Sequence, residues 1–296
     1  MNLIDSFLEY LLLEKKYSNH TITAYKNDLI SLQNFCKETY QQETISDIHY
    51  SQIRSWIVEM VEAKVSNRSI NRKISSLKSF YKYLKKIKII QNNPLSGHKA
   101  LKTPKKIQVP FSIKEVNTVL TNITKNDSFE SSRDKLILEL FYSTGMRRAE
   151  LIDLKISSIN FLEKQLKVVG KRNKERLLPL LPSVIQSLES YLEYRHIQQS
   201  SEDYLFLTKK GNKIYETLVY RVINNYFSKA SSKLKKSPHI LRHSFASHLL
   251  NEGADLNSVK ELLGHSSLAS TQVYTHNSLE QLKKVYKQAH PRSTKK

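Results

Sequence analysis

Cysteine is almost absent from this chain of 296 residues, which contains only Cys36. A lone cysteine has no partner for an intramolecular disulfide and cannot build a cysteine-rich zinc site, so we expect it to be a small buried core residue. Long apolar runs are also missing: no stretch resembles a transmembrane helix, and Met1 leads into an amphipathic segment rather than a signal peptide. We therefore expect a soluble, cytoplasmic protein with no membrane contact.

Acidic residues are missing from one long stretch of the chain. No Asp or Glu occurs from residue 63 to residue 114, whereas lysine and arginine recur throughout it. The whole chain has 48 Lys and Arg against 27 Asp and Glu, a formal charge of +21. An excess of this size indicates a class of partner rather than a fold, and its clustering favours a polyanion, above all nucleic acid, over a merely soluble basic protein.

Apolar residues recur at helical spacing in four segments near the N terminus. They lie at about 3–16, 18–35, 51–63 and 66–84, with Ser18 as a predicted N-cap of the second segment. Four such helices predict an all-α bundle over residues 1–91. Residues 92–111 contain Asn93-Pro94, Ser96-Gly97, Pro104 and Pro110 among several lysines, which predicts a basic, semi-extended interdomain linker.

The fourth helix has many basic residues and no acidic neighbour along the chain. These residues are Arg68, Arg72, Lys73, Lys78, Lys82, Lys85 and Lys86. A basic helix face is often only solvated surface, but such faces usually include acids for i,i+4 pairing, and this one does not. We interpret it as a contact with the DNA backbone, with four candidate DNA-binding residues. The four are Arg68, Arg72, Lys73 and Lys78.

A second domain is predicted over residues 112–296. Helical patterns occur near 114–121, 133–142, 183–194 and 216–230. Two short β-type runs, 165–169 and 176–180, bracket GKRNKE and predict a hairpin with Lys171 at its tip. The predicted fold class is therefore mainly α, with a four-helix N-terminal domain and a mostly helical C-terminal domain that contains a small β-hairpin.

Two helix starts in the second domain contain cationic side chains. Ser237 is a predicted N-cap followed by Pro238, and His239 and Arg242 then share one face of the first turn. Arg147 likewise falls in the predicted first turn of a helix that opens after Ser-Thr-Gly. A helix N-terminus favours an anion, so cationic side chains there predict a phosphate site. Glu150 either orients Arg147 or serves only the electrostatics of the turn.

Four blocks of the sequence resemble the tyrosine recombinases, also called the phage integrase family, and among them the bacterial Xer recombinases. The blocks are TGMRRAEL, VVGKRNKERLLPL, SPHILRHSFASHLL and LLGHSSLASTQVYTH, and AHPR near the C terminus is also Xer-like. The resemblance implies an N-terminal core-binding domain, a C-terminal catalytic domain and a catalytic set of six residues. The set is Arg147, Lys171, His239, Arg242, His265 and Tyr274. Arg172 stands where the family pattern has glycine and adds charge beside Lys171.

The resemblance assigns a role to each member of the set. Tyr274 is the nucleophile and becomes linked to the 3′-phosphate of DNA, while Arg147 and Arg242 contact the nonbridging phosphate oxygens. Lys171 is the general acid for the departing oxygen. His239 either removes a proton from the tyrosine or contacts the phosphate, and His265 hydrogen-bonds the phosphate.

The implied reaction is site-specific DNA recombination that requires neither a cofactor nor a metal. Zinc ligation by His239, His243 and His248 is disfavoured, because His243 and His248 are not four residues apart and cysteine ligands are absent. Carboxylates with the spacing of a two-metal nuclease are not evident either.

The implied partners are a double-stranded DNA recombination site and further recombinase protomers in a homo- or hetero-tetramer. The implied process is dimer resolution of chromosomes or plasmids during segregation, and Xer proteins also contact the DNA translocase FtsK through their C-terminal region. The residues after Tyr274 predict one last helix, which packs either on a neighbouring protomer or on its own domain. Alternatives are a mobile-element integrase, a type IB topoisomerase and an architectural DNA-binding protein with a decayed site.

Overall fold

The computed structural model describes residues 2–104, 108–123, 128–170, 174–197, 203–233, 235–264, 286 and 288–292. The chain divides into two units, Met1–Lys106 and Ile107–Lys296. Both are mainly helical and the second also contains a small antiparallel sheet, so the predicted fold class is confirmed. Across the described ranges, no helix combines the length and the apolar character needed to cross a membrane.

The first unit contains the four predicted helices. They are α1 (Leu3–Leu13), α2 (Asn19–Tyr40), α3 (Tyr50–Glu62) and α4 (Asn67–Lys86). Ser18 caps α2 by accepting a hydrogen bond from the backbone N–H of Thr21, as its position predicted. Phe7, Trp56 and Phe80 are among the large side chains of the core, and Cys36 is fully buried there, also as predicted.

The segment predicted as a linker is partly folded onto each unit. Leu95 is 1% exposed and belongs to the core of the first unit. The Asn71 side chain binds the backbone of Leu101 twice, through its Nδ2 to the carbonyl at 2.8 Å and from the N–H to its Oδ1 at 2.9 Å. Phe111 is fully buried in the core of the second unit. The first unit thus extends past residue 91, and the second begins before residue 112.

The second unit is built around a helix that is buried on nearly all sides. The helices are α5 (Ile113–Ile123), α6 (Phe129–Thr144), α7 (Arg148–Ile152), α8 (Pro182–Ile197), α9 (Glu216–Ala230), α10 (Pro238–Asn251) and α11 (Leu256–Leu263). Every residue from Leu136 to Thr144 is buried, because α5, α8, α9 and α10 all pack against α6. Such a helix forms the centre of a core rather than one side of it.

The sheet of the second unit has three antiparallel strands in sequence order. They are β1 (Ile159–Asn160), β2 (Gln165–Val169) and β3 (Glu175–Pro179). Leu166 pairs with Leu178 and Val169 pairs with Glu175, so the predicted hairpin is present and β1 is added at its edge. Lys171 and Arg172, which the sequence places in the hairpin loop, lie outside the described residues.

The C-terminal residues dock onto α6 of their own chain. Tyr286 donates a hydrogen bond from its hydroxyl to the carbonyl of Ser143 at 2.6 Å, and His290 Nε2 lies 3.2 Å from the carbonyl oxygen of Tyr142. Arg292 Nη1 donates to Glu139 Oε1 at 3.1 Å. Residues 286 and 288–292 therefore contact their own domain, whereas the apolar stripe of the predicted last helix, residues 279–285, lies outside the described residues.

Docking of the C-terminal residues is expected to weaken at mildly acidic pH. Burial lowers the pKa of His290 to about 4, well below the value of about 6.5 expected in the unfolded chain. The neutral form therefore stabilises the fold fully above pH 6.5, and this contribution is lost as pH falls towards 4. Thermal unfolding of the wild type should show a larger drop in Tm between pH 7 and pH 5 than His290→Gln. Equal drops would contradict this assignment.

Candidate active site

Arg147 precedes α7 as its N-cap residue rather than lying within its first turn. Its backbone N–H donates to Glu150 Oε2 at 2.7 Å, and its Nη1 donates to Glu150 Oε1 at 2.8 Å. Nη2 donates to the carbonyl oxygen of Gly264 at 2.7 Å. Glu150 thus binds both the backbone and the guanidinium of Arg147 and orients it.

Arg242 lies in the second turn of α10, as the fifth residue of a helix that begins at Pro238. Its Nη1 donates to the carbonyl of Gly145 and its Nη2 to the carbonyl of Leu263, the latter at 2.7 Å. These carbonyls end α6 and α11, where the helix dipole is negative and backbone oxygens lack partners within the helix. The expectation that both arginines lie in first turns is wrong, because α7 begins one residue after Arg147 and Arg242 is the fifth residue of α10. Each guanidinium contacts a helix C-terminus instead.

A third arginine, Arg176, belongs to the same cluster and was missed by the sequence analysis. It is 6% exposed, and its Nη1 and Nη2 donate to Glu150 Oε1 and Oε2, both at 2.8 Å. Its Nε donates to the carbonyl of Leu262 at 3.1 Å. Arg176 shares the buried face of β3 with Leu178, and a charged residue in this alternation indicates a buried counter-charge.

The end of α11 binds all three arginines through successive carbonyls. Leu262 accepts from Arg176, Leu263 accepts from Arg242 and Gly264 accepts from Arg147. Gly264 is the C-cap and adopts the left-handed conformation, with φ 62°. The carbonyls that an α-helix leaves without internal partners are here occupied by guanidiniums. This arrangement fixes the arginines relative to one another. It also places Arg147 against Gly264, the residue that precedes His265 in the chain.

Gly145 permits the close approach of α6 and α10 that brings Arg242 to its carbonyl partner. It is the C-cap of α6, with φ 60°, a conformation that glycine adopts without strain. A Cβ at this position would lie 2.3 Å from Cδ1 of Phe245, which is on α10. A side chain here would force the two helices apart.

The cluster is strongly positive. Burial alone would raise the pKa of the Glu150 carboxyl, but hydrogen bonds from Arg176 and Arg147 lower this pKa to about 2. Burial and the neighbouring Arg147 lower the pKa of Arg242 to about 10, which leaves it charged at neutral pH. One carboxylate therefore faces three guanidiniums. Within the described contacts, Arg147 and Arg242 each use only two of five N–H donors, so both can still bind an anion.

The other predicted site residues divide into two groups. His239 is exposed at the start of α10, three residues before Arg242, and therefore lies on the same side of that helix. Lys171, His265 and Tyr274 lie outside the described residues. His243 is exposed, whereas His248 is buried and its Nδ1 lies 2.8 Å from the hydroxyl of Tyr142. The part of the chain that the structure describes contains no His, Cys, Asp and Glu group able to hold a metal ion.

The basic face of α4 has an acidic partner on another helix. Asp28 of α2 is 1% exposed and accepts from Arg72 Nη1 and Nη2 at 2.7 and 2.8 Å. Lys73 Nζ lies 3.4 Å from Asp28 Oδ1, and Lys78 donates to the carbonyl of His98 at 3.2 Å. The expectation of a face without acidic pairing is wrong for Arg72 and Lys73, since spacing along one helix does not reveal a partner 44 residues away.

Substitution of Asp28 is expected to destabilise the first unit selectively. Asp28→Asn leaves two cations without their buried counter-charge, so we expect the free energy of unfolding to fall by roughly 2 kcal/mol. Trp56, the only tryptophan, is in the core of this unit, so its fluorescence during urea unfolding reports on the unit alone. Arg68→Ala, at an exposed position on α4, is the control and should leave the transition unchanged. Equal transitions for Asp28→Asn and wild type would contradict the role of this contact.

Comparison with known proteins covers both units. Residues 111–281 match the phage integrase family, and residues 4–88 match the phage integrase N-terminal SAM-like domain. The tyrosine recombinase XerC of Anoxybacillus flavithermus (strain DSM 21510 / WK1) is 38% identical over 304 residues, covering 98% of each chain. That of Staphylococcus aureus (strain MRSA252) is 37% identical over 294 residues, covering 98% of this chain and 97% of the relative.

The same assignment holds at the level of the fold. The crystal structure of the XerH site-specific recombinase bound to difH substrate aligns with a TM-score of 0.71 at 21% identity. The alignment covers 96% of this chain and 95% of that chain. Together with the relatives that match nearly the whole sequence, it leads to one conclusion. The chain belongs to the phage integrase family and is a tyrosine site-specific recombinase.

Proposed function

We propose that this recombinase cuts and rejoins DNA through a 3′-phosphotyrosyl intermediate on Tyr274, at sites whose exchange resolves chromosome or plasmid dimers. The observation that carries the proposal is the pair of guanidiniums, Arg147 and Arg242, bound by adjacent carbonyls at the end of α11. Both are fixed before any substrate arrives, and both keep N–H donors for an anion.

The arginines would stabilise the transition state of phosphodiester cleavage. Negative charge accumulates on the nonbridging oxygens when an oxygen nucleophile attacks phosphorus, and guanidinium binds such oxygens through two parallel N–H donors. Because Gly145, Leu263 and Gly264 already hold the two side chains, little reorganisation is needed during the reaction. Preorganised donors of this kind typically contribute the largest single part of catalysis.

The remaining residues of the set would move protons. Tyr274 attacks phosphorus, the bond to the 5′ oxygen breaks, and that oxygen leaves as a hydroxyl after it takes a proton from Lys171. His239, exposed on the same side of α10 as Arg242, would accept the tyrosine proton or bind the phosphate, and His265 would hydrogen-bond the phosphate. The phosphotyrosyl bond keeps the energy of the broken bond. A 5′ hydroxyl from another strand can therefore reverse the step without a cofactor or metal.

The first unit would act as the core-binding domain and hold double-stranded DNA. The formal charge of +21 supports a polyanionic partner, and exposed Arg68 together with Lys78 are the first candidates on α4. Arg72, whose side chain is 51% exposed, and Lys73 would contribute from their positions around Asp28. We further propose action as a homo- or hetero-tetramer on two sites in the cytoplasm, with FtsK as a candidate partner.

The proposal is tested with a nicked DNA substrate that carries a recombination site of the Xer type. The nick lets the cleaved fragment diffuse away, so a covalent protein–DNA complex should accumulate and survive a denaturing gel, with or without a metal chelator. Two such sites on one plasmid should yield recombinant products. Relaxed plasmid without recombinants would contradict site-specific exchange and favour a topoisomerase, while absence of any covalent complex would contradict the phosphotyrosyl mechanism.

A further inference from the structure

We propose that Arg176 is a positioning residue that compensates the charge of Glu150, so that the guanidinium of Arg147 stays available to the scissile phosphate. The inference rests on the proposed function, because it assigns the phosphate to Arg147. It adds to the six-residue catalytic set a buried arginine on β3 that would act through Glu150.

Glu150 is fully occupied by its two arginines. Oε1 accepts from Arg147 Nη1 and Arg176 Nη1, both at 2.8 Å. Oε2 accepts from the backbone N–H of Arg147 at 2.7 Å and from Arg176 Nη2 at 2.8 Å. An ionised carboxylate accepts about four hydrogen bonds in total, so no acceptor position is left to bind Arg147 more closely.

The charges indicate why the second arginine matters. The Glu150 side chain is 4% exposed and that of Arg176 is 6% exposed, whereas that of Arg147 is 39% exposed. Without Arg176 the buried carboxylate would pair with Arg147 alone and draw both guanidinium edges towards itself. An arginine neutralised in this way would bind a phosphate weakly, since Glu150 would already compensate its charge and accept its hydrogen bonds.

Arg176 also touches the chain next to two other predicted catalytic residues. A Cβ built at Gly264 would lie 3.1 Å from Arg176 Nη1, and Gly264 is covalently linked to His265. A Cβ at Gly170 would lie 3.3 Å from Glu150 Oε1 and 3.6 Å from Arg176 Nη1, and Gly170 is linked to Lys171. Both glycines therefore allow the backbone to approach the ion pair closely.

A purely structural ion pair between β3 and α7 is the alternative, and charge-balanced variants separate the two. Arg176→Met leaves Glu150 uncompensated. The double variant Glu150→Gln with Arg176→Met removes one charge of each sign, so Arg147 and Arg242 keep the net positive charge of the wild-type cluster. If Arg176 only holds the fold together, Arg176→Met should lower the Tm and leave the cleavage rate of the folded protein close to that of the wild type. If it compensates Glu150, the double variant should recover activity.

The test is the single-turnover rate of covalent complex formation at saturating protein, together with the Kd for DNA and the Tm. We expect Arg176→Met to slow cleavage roughly 10²-fold, because Arg147 would no longer be available as a preorganised donor to the scissile phosphate. The Kd for DNA should change little, since the loss concerns the transition state. The double variant should cleave at least about tenfold faster than Arg176→Met. A double variant as slow as Arg176→Met would overturn the inference. So would a loss of cleavage rate that is explained by a lower Tm or by weaker DNA binding.

Two further results keep the inference separable from folding and from the proposed function. If Arg176→Met does not fold, Arg176→Lys replaces it. Lysine keeps the compensating charge and loses only the paired contact with both oxygens of Glu150, so we expect a rate within roughly tenfold of the wild type. A folded Arg176→Lys that is as slow as Arg147→Ala would overturn the inference. Failure of the wild-type protein to form a covalent complex would instead contradict the proposed function.

Discussion

Replacement of Tyr274 by phenylalanine is expected to abolish the covalent complex with nicked DNA and to leave DNA binding intact. The substitution removes one oxygen atom, the proposed nucleophile, and preserves the aromatic ring and its packing. No other group of the proposed set can form the same phosphodiester link, so the loss should be complete within detection, a larger effect than for any other variant.

The chain contains 16 tyrosines, and the structure removes several of them as alternative nucleophiles. Three of them are at most 2% exposed, namely Tyr142, Tyr191 and Tyr286. Burial raises the pKa of each of these hydroxyls, and it raises that of Tyr191 to about 12. A buried phenol that resists ionisation cannot attack DNA at neutral pH.

The matched control for this variant is Tyr220→Phe, which makes the same chemical change at a side chain 44% exposed on α9. Labelled DNA should shift into a denaturing-gel complex with wild type and Tyr220→Phe, and should remain free with Tyr274→Phe. A native gel checks that all three proteins bind DNA equally. Persistence of the covalent complex in Tyr274→Phe would assign the nucleophile elsewhere.

Features that depend on neighbouring residues along the chain were predictable from the sequence. The N-cap at Ser18, the first helical position of Pro238 and the strand pairing of 165–169 depend on short-range rules, and the structure agrees with each. The same holds for the buried Cys36, since an isolated cysteine in an apolar helical stripe has few other roles.

Features that depend on distant residues were not predictable. Arg242 binds carbonyls that are 97 and 21 residues away, and no spacing rule relates a side chain to a backbone oxygen on another helix. For the same reason the sequence did not reveal the contact between Arg72 and Asp28. Nor did it reveal the contact between Arg176 and Glu150, which are 26 residues apart. The prediction at Arg242 considered only the helix that contains the arginine and did not include the helix ends that the guanidinium contacts.

Replacement of Arg242 by alanine is expected to slow DNA cleavage roughly 10²- to 10³-fold, the loss typical of one preorganised donor to a developing oxyanion. Lysine should not restore the rate. Arg242 reaches the carbonyls of Gly145 and Leu263 with its two terminal nitrogens and still has donors for a phosphate, whereas one ammonium cannot span these partners.

The measurement compares single-turnover cleavage of a nicked site by wild type, Arg242→Ala, Arg242→Lys and Arg148→Ala. Arg148 is the matched control, because it adjoins Arg147 in sequence but pairs with Glu216 at the surface and contacts neither Glu150 nor the end of α11 through the hydrogen bonds described. Its loss should change the rate little. If Arg242→Lys cleaves as fast as the wild type, charge alone suffices, and the fixed guanidinium geometry at the end of α11 does not determine the rate.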